Sequence, residues 1–132
     1  NSHSKTDYML MKALLLIAHG SRRQRSNDEV IALAEKLKTE CAEHYDIVQA
    51  AFLELADTLI ADGIENCVRD GASQITVLPY FLNSGRHVTE DIPHDVDAVR
   101  ADFPNVDIQI AQHIGASTAM IDMLKTAAVN RV

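Results

Sequence analysis

No stretch of this 132-residue chain approaches the ~20 consecutive apolar residues of a membrane-spanning helix, so no membrane partner is expected. A charged, then apolar, then small-residue secretion leader is also missing from its start. Cysteine is scarce: Cys41 and Cys67 are too few and too far apart for a thiolate zinc site. Both read as free thiols on apolar helix faces, which points to a cytoplasmic protein. There is no Gly-x-x-x-x-Gly-Lys-Ser/Thr loop and no Gly-x-Gly-x-x-Gly fingerprint, so no nucleotide is expected. Basic residues are the minority, 12 against 19 acidic, and the net charge of −7 speaks against a nucleic-acid partner. No internal repeat, low-complexity segment or linker divides the chain.

What remains has the balance of a globular domain, 47% hydrophobic and 23% charged. A chain of this length buries roughly 65–70% of its unfolded surface, enough for a core without staples. Residues 1–10, "NSHSKTDYML", are polar and without periodicity until Tyr8, and read as a disordered leader or a cloning remnant. A single α/β domain is expected over residues 11–132.

Within it, short apolar runs alternate with helical patterns. "ALLLIA" (13–18) is continuously apolar, as a strand covered on both faces must be. Ser26 and Glu29 have capping-box spacing ahead of Val30, Ala34, Leu37 and Cys41. "DIVQAAFL" (46–53) reads as a second strand; Leu59, Ile60, Ile64, Cys67 and Val68 mark a second helix that Gly71 closes. "QITVLPY" (74–80) is a third strand, followed by a loop through Asn83, Ser84 and Gly85. The next helix carries Val96, Val99 and Phe103, with Pro93 in its first turn. "VDIQIAQ" (106–112) is the fourth strand. Ser117 then caps a last helix whose Met120, Met123 or Leu124, and Ala127 or Ala128, are expected to face inward. This order predicts one three-layer lobe: a four-stranded parallel sheet with helices on both faces.

In open parallel sheets, ligands bind beyond the carboxyl ends of the strands. The residues falling there are His19-Gly20-Ser21, Glu54, the segment Phe81 to His87, and His113. Imidazole and carboxylate together suit divalent cobalt, nickel, iron or zinc. Gly20 permits a sharp turn after His19, Ser21 offers a hydroxyl to a ligand oxygen, and His87 follows a mobile-looking Asn-Ser-Gly-Arg loop. Glu54 has no apolar reason to end a buried strand. Arg22, Arg23, Arg25 and Arg86 crowd the same motifs in an acidic protein, as reception of an anionic small molecule requires. His44 and His94 fall on helices and face solvent, and His3 lies in the leader. Taken alone, these residues point to a divalent-metal or anion site and leave structural histidines open.

"AHGSR" resembles the Arg-His-Gly of histidine phosphatases, but Ala18 stands where the phosphate-binding arginine belongs. A closer resemblance covers residues 12–128. "LLLIAHGSR" (14–22), "AFLE" (51–54) and "VLPYFLNSGRHVTEDIP" (77–93) resemble the small CbiX-type sirohydrochlorin cobaltochelatases. The resemblance implies ATP-independent insertion of a divalent metal into a tetrapyrrole, Co²⁺ foremost, with Fe²⁺ or Ni²⁺ as alternatives. It implies that His19 and His87 handle the metal, and that Glu54 joins them in catalysis. Sirohydrochlorin is a polycarboxylate, so Arg22, Arg23, Arg25 and Arg86 are expected to pair with it, beside Ser21, Ser84 and Gly85. A one-lobe chain further implies a homodimer. Two departures stand out: Thr58 occupies a position where the family often has proline, and is expected to cap the next helix; His113 adds an imidazole to the rim. A tetrapyrrole or metal carrier without turnover is the rival reading.

Overall fold

The continuous apolar run forms β1 (Lys12–Ala18), and six of its seven residues are buried. The computed structural model describes residues 10–130, so the leader reading for 1–10 lies outside the described residues except at exposed Leu10. Helix α1 (Gln24–Glu40) leads to β2 (Ile47–Phe52), and α2 (Ile60–Arg69) to β3 (Gln74–Pro79). A π turn (His87–Asp91) runs straight into α3 (Ile92–Arg100), followed by β4 (Asp107–Ile110), a 3-10 turn (Ile114–Ala116) and α4 (Ala119–Asn130). The four strands are parallel in the order β2-β1-β3-β4. Strands β2 and β4 are shorter at both ends than the apolar runs predict.

This order fixes which face each helix covers. The β1-to-β2 step runs one way across the sheet, and the steps to β3 and β4 run the other. Right-handed crossovers therefore put α1 on one face and α2 and α3 on the opposite face. Alternation along the strands does the rest. Leu15, Ile17, Ala51 and Val77 meet Ile60 and Ile64 of α2 and Ile92 and Val96 of α3 in the main core. Leu14 and Val48 meet Ala34 of α1 in a smaller one, with Leu37 and Tyr45 alongside. Cys67 is buried in the main core, and burial, followed by the negative charge of Asp70, pushes its thiol up to about 11. Cys41, placed by the sequence on an apolar helix face, is half-buried where α1 ends, and both thiols are free.

Helix starts differ from the sequence expectation. Ser26 and Glu29 form no capping box: α1 begins earlier, with Arg23 at its N-cap and no side-chain capping bond there. Ser21 Oγ instead accepts from the Arg23 backbone N–H, because the chain is already turning at residue 21. At α2 the capping carboxylate is that of Asp62, which accepts from the Leu59 N–H, and Thr58 is not the cap. Gly71 does close α2, at φ +105°. Pro93 lies near the start of α3 but not at the start of the helical path, which extends back through the π turn to His87. In an unbroken α-helix its ring would crowd the Thr89 carbonyl. The wider π turn just before it gives that carbonyl room.

The largest difference is α4. Of Met120, Met123 or Leu124, and Ala127 or Ala128, expected to face inward, Met120 is half-buried; Met123 and Leu124 are 57% and 56% exposed, both alanines are exposed, and no residue of α4 is buried. The helix packs on little beyond the 3-10 turn before it, and its Met120 and Met123 face Leu78 of β3 only across an open concavity. Among the described residues, no helix is long and apolar enough to cross a membrane.

Candidate functional site

Strands β1 and β3 are neighbours in the sheet, yet the chain leaves them in opposite lateral directions. A crevice opens at such a switch point, beyond the carboxyl ends. His19 comes off β1 there, and His87 off the β3 connection. Their ring centroids are 4.6 Å apart, with planes tilted by 47°. Glu54 joins from β2, its Oε2 3.4 Å from His19 Nε2.

Backbone contacts set this convergence. Pairing of β1 and β2 continues past the strands: Leu53 N–H donates to the Ala18 carbonyl at 3.0 Å and Glu54 N–H to that of His19 at 3.2 Å. Gly20, at φ +95°, then lies against the Glu54 carbonyl with no room for a Cβ. Asn27, only 3% exposed, ties the two connections together. Its Oδ1 accepts from Ser21 N–H, while its Nδ2 donates to the carbonyls of Ser21 and Leu55, each at 2.9 Å. The turn this holds places Leu55 at φ +57°.

His87 is held rather than loose. Its Nδ1 lies 2.7 Å from Asp91 Oδ2, and Phe81 stands with its ring centroid 6.3 Å away. The Asn-Ser-Gly-Arg loop ends before the ring, since the π turn begins at His87 itself. Gly85 supplies its carbonyl to the N–H groups of Val88 and Thr89, both at 3.0 Å. Ser84, Gly85 and Arg86 are exposed beside it. Arg22, Arg23 and Arg25 are exposed at the start of α1, and among the described residues none of these four arginines has an ion-pair partner.

The imidazoles of His19 and His87 are each 47% exposed and the Glu54 side chain 56%, so the cluster faces solvent. Among the described residues, no group of three His, Cys, Asp or Glu side chains is close enough to enclose an ion. The arrangement is an open, solvent-facing edge of two imidazoles and a carboxylate. His113 does not join it. It lines a separate concavity of about 680 Å³ with Leu78, Met120 and Met123, behind the 3-10 turn. That turn packs closely on the His87 loop, with Gly115 N–H donating to the Phe81 carbonyl at 3.0 Å. His44 and His94 are exposed, as expected.

Two residues of this region, Asn27 and Asp91, escaped the sequence reading. Asp91 stood inside the quoted stretch 77–93 without a role, and the signal for one was its i, i+4 spacing from His87. For Asn27 it was a polar residue on the same helix stripe as Ala34.

The family model named CbiX matches residues 13–130. The chain belongs to the CbiX family. A sirohydrochlorin ferrochelatase of Priestia megaterium is 32% identical over 122 residues, 91% of this chain but 44% of that protein. A sirohydrochlorin cobaltochelatase of Sulfolobus acidocaldarius is 32% identical over 118 residues, 89% of this chain and 90% of that one. Among solved structures, SirB from Bacillus subtilis with Fe³⁺ superposes with a TM-score of 0.83 at 29% identity, over 92% of this chain and 47% of its own. This CbiX-family chain thus spans about half the length of some relatives and nearly all of another. The shared fold is the α/β lobe predicted from the alternation of strands and helices, and its chelatase kinship is the one the motif resemblance implied.

Proposed function

We propose that this protein is an ATP-independent chelatase that inserts a divalent metal, Co²⁺ foremost, into sirohydrochlorin for cobalamin biosynthesis. The observation that carries the reading is the His19–His87 pair, 4.6 Å between rings, with Glu54 alongside at the switch point of the sheet. The metal here is a substrate, and an open donor edge suits a substrate. His19 and His87 would hold the borderline cation, with few enough protein donors for the tetrapyrrole nitrogens to replace them. Insertion requires the pyrrole N–H protons to leave. Glu54, a solvated carboxylate beside His19, is the acceptor in this scheme. Arg22, Arg23, Arg25 and Arg86 have guanidinium groups uncommitted to protein carboxylates, and charge-assisted pairing with the ring's acid groups would orient it. Ser21, Ser84 and Gly85 are assigned to substrate contact in the same scheme.

Iron insertion is the second reading, favoured by the ferrochelatase name of the Priestia relative at equal identity. Nickel fits the same donors. The active form in this proposal is a cytoplasmic homodimer, supported by the free thiols and by the uncovered apolar face of α4.

The test is an anaerobic absorbance assay with sirohydrochlorin and Co²⁺, Fe²⁺ or Ni²⁺ in turn, against a protein-free blank. Conversion above the blank, lost in His87→Ala, is the expected result and ranks the metals. Saturating spectral shifts without rate above the blank would make the protein a carrier.

A further inference from the structure

Asp91 has one visible occupation. It lies in mid-helix, where the π turn passes into α3, so no free helix N–H competes for its side chain. Among the described residues it pairs with no Lys or Arg. Its carboxylate instead meets His87 Nδ1 at 2.7 Å. An ionised carboxylate only accepts, so so short a contact requires the proton on Nδ1. A neutral ring protonated there has its lone pair on Nε2.

The supports of this contact reach into the core. Ile92, fully buried, follows Asp91 directly, and its N–H donates back to the His87 carbonyl across the π turn. Ring, carboxylate and core are therefore linked within six residues. His19 is presented the other way round: its Nε2, not its Nδ1, faces the neighbouring carboxylate of Glu54. The two imidazoles are not equivalent, and His87 is the one whose outer nitrogen is left clear.

We infer that Asp91 is a positioning residue that holds His87 as the Nδ1–H tautomer, leaving Nε2 as an unprotonated metal donor. The inference deepens the proposed function and rests on it for the metal's role, but the tautomer itself does not. A carboxylate behind a ligating histidine fixes both ring orientation and basicity, and its loss typically lowers metal affinity or activity 10- to 100-fold.

The experiment is long-range ¹H–¹⁵N NMR of histidine-labelled, metal-free protein at mildly alkaline pH, with the His87 ring identified by comparison with His87→Gln. The expected spectrum shows a protonated Nδ1 and an unprotonated Nε2 in the wild type. In Asp91→Ala, which removes the acceptor from Nδ1, the proton shifts toward Nε2; in Asp91→Glu the wild-type pattern returns at least in part. Titration with Co²⁺ alone should show affinity down about 10- to 100-fold in Asp91→Ala and recovered in Asp91→Glu. A wild-type His87 carrying its proton on Nε2 overturns the inference without any variant. An Asp91→Ala protein that keeps the Nδ1–H form also overturns it. Neither readout uses tetrapyrrole, so a failed insertion assay and a failed tautomer assignment are separate results.

Discussion

Gly20 shows how narrowly a single residue can be specified. Its φ of +95° disfavours any side chain, and the Glu54 carbonyl occupies the space a Cβ would need. Relief would have to come from the β2 connection, which carries Glu54 itself. Gly20→Ala is expected to destabilise the lobe by about 3 kcal/mol, from backbone strain and overpacking together, read as a lower urea midpoint. Gly85 is the internal control: a Cβ there meets nothing within 4 Å, and Gly85→Ala should stay within about 0.5 kcal/mol of wild type. At this scale the histidines and Glu54 were legible in the sequence, because strand ends and the parallel-sheet rule together assign them an edge. Asp91 and Asn27 were not. Each acts through a partner that only the folded chain brings near, and a lone Asp or Asn in a helical pattern has many equally ordinary uses.

Among the elements, the two connections that carry His19 and Glu54 behave as one unit because Asn27 reaches from α1 to both. Asn27→Ala removes three hydrogen bonds from a side chain that is 3% exposed. A loss of about 2 kcal/mol is expected, measured by equilibrium denaturation. Amide exchange should quicken at Ser21, whose N–H loses its acceptor, before it quickens in β1. The helix starts explain why this was hidden. Ser26 and Glu29 satisfy a capping pattern, but the chain turns sooner, at Ser21, so a correct local motif was assigned to a start that does not exist. Pro93 was legible as a helix-start residue; the π turn ahead of it was not, since i→i+5 winding leaves no periodic signature in five residues.

For the molecule as a whole, the alternation of apolar runs and helical patterns was enough for layers and strand direction, and α4 marks where that reasoning stops. Periodicity says which side of a helix is apolar, not what covers it. Ile121, Met123, Leu124 and Val129 are all more than half exposed, on a helix that scarcely touches its own lobe. Scattered apolar side chains on a surface are ordinary, but this many on one short helix favour a second surface. Under the homodimer proposal, Ile121→Asp with Leu124→Asp should shift sedimentation from dimer to monomer while leaving the lobe's melting temperature nearly unchanged. A wild-type protein that sediments as a monomer across the accessible concentration range would remove α4 from that role.

The π turn also has an evolutionary reading. It is one residue longer than the α-helical turn it replaces, while α3 stays seated through Ile92, Val96 and Val99. Losing one residue between His87 and Ile92 would leave that seat untouched and rotate everything before it by about 100° about the helix axis. His87 would then swing away from His19. A single codon therefore separates a lobe that brings two imidazoles together from one that does not.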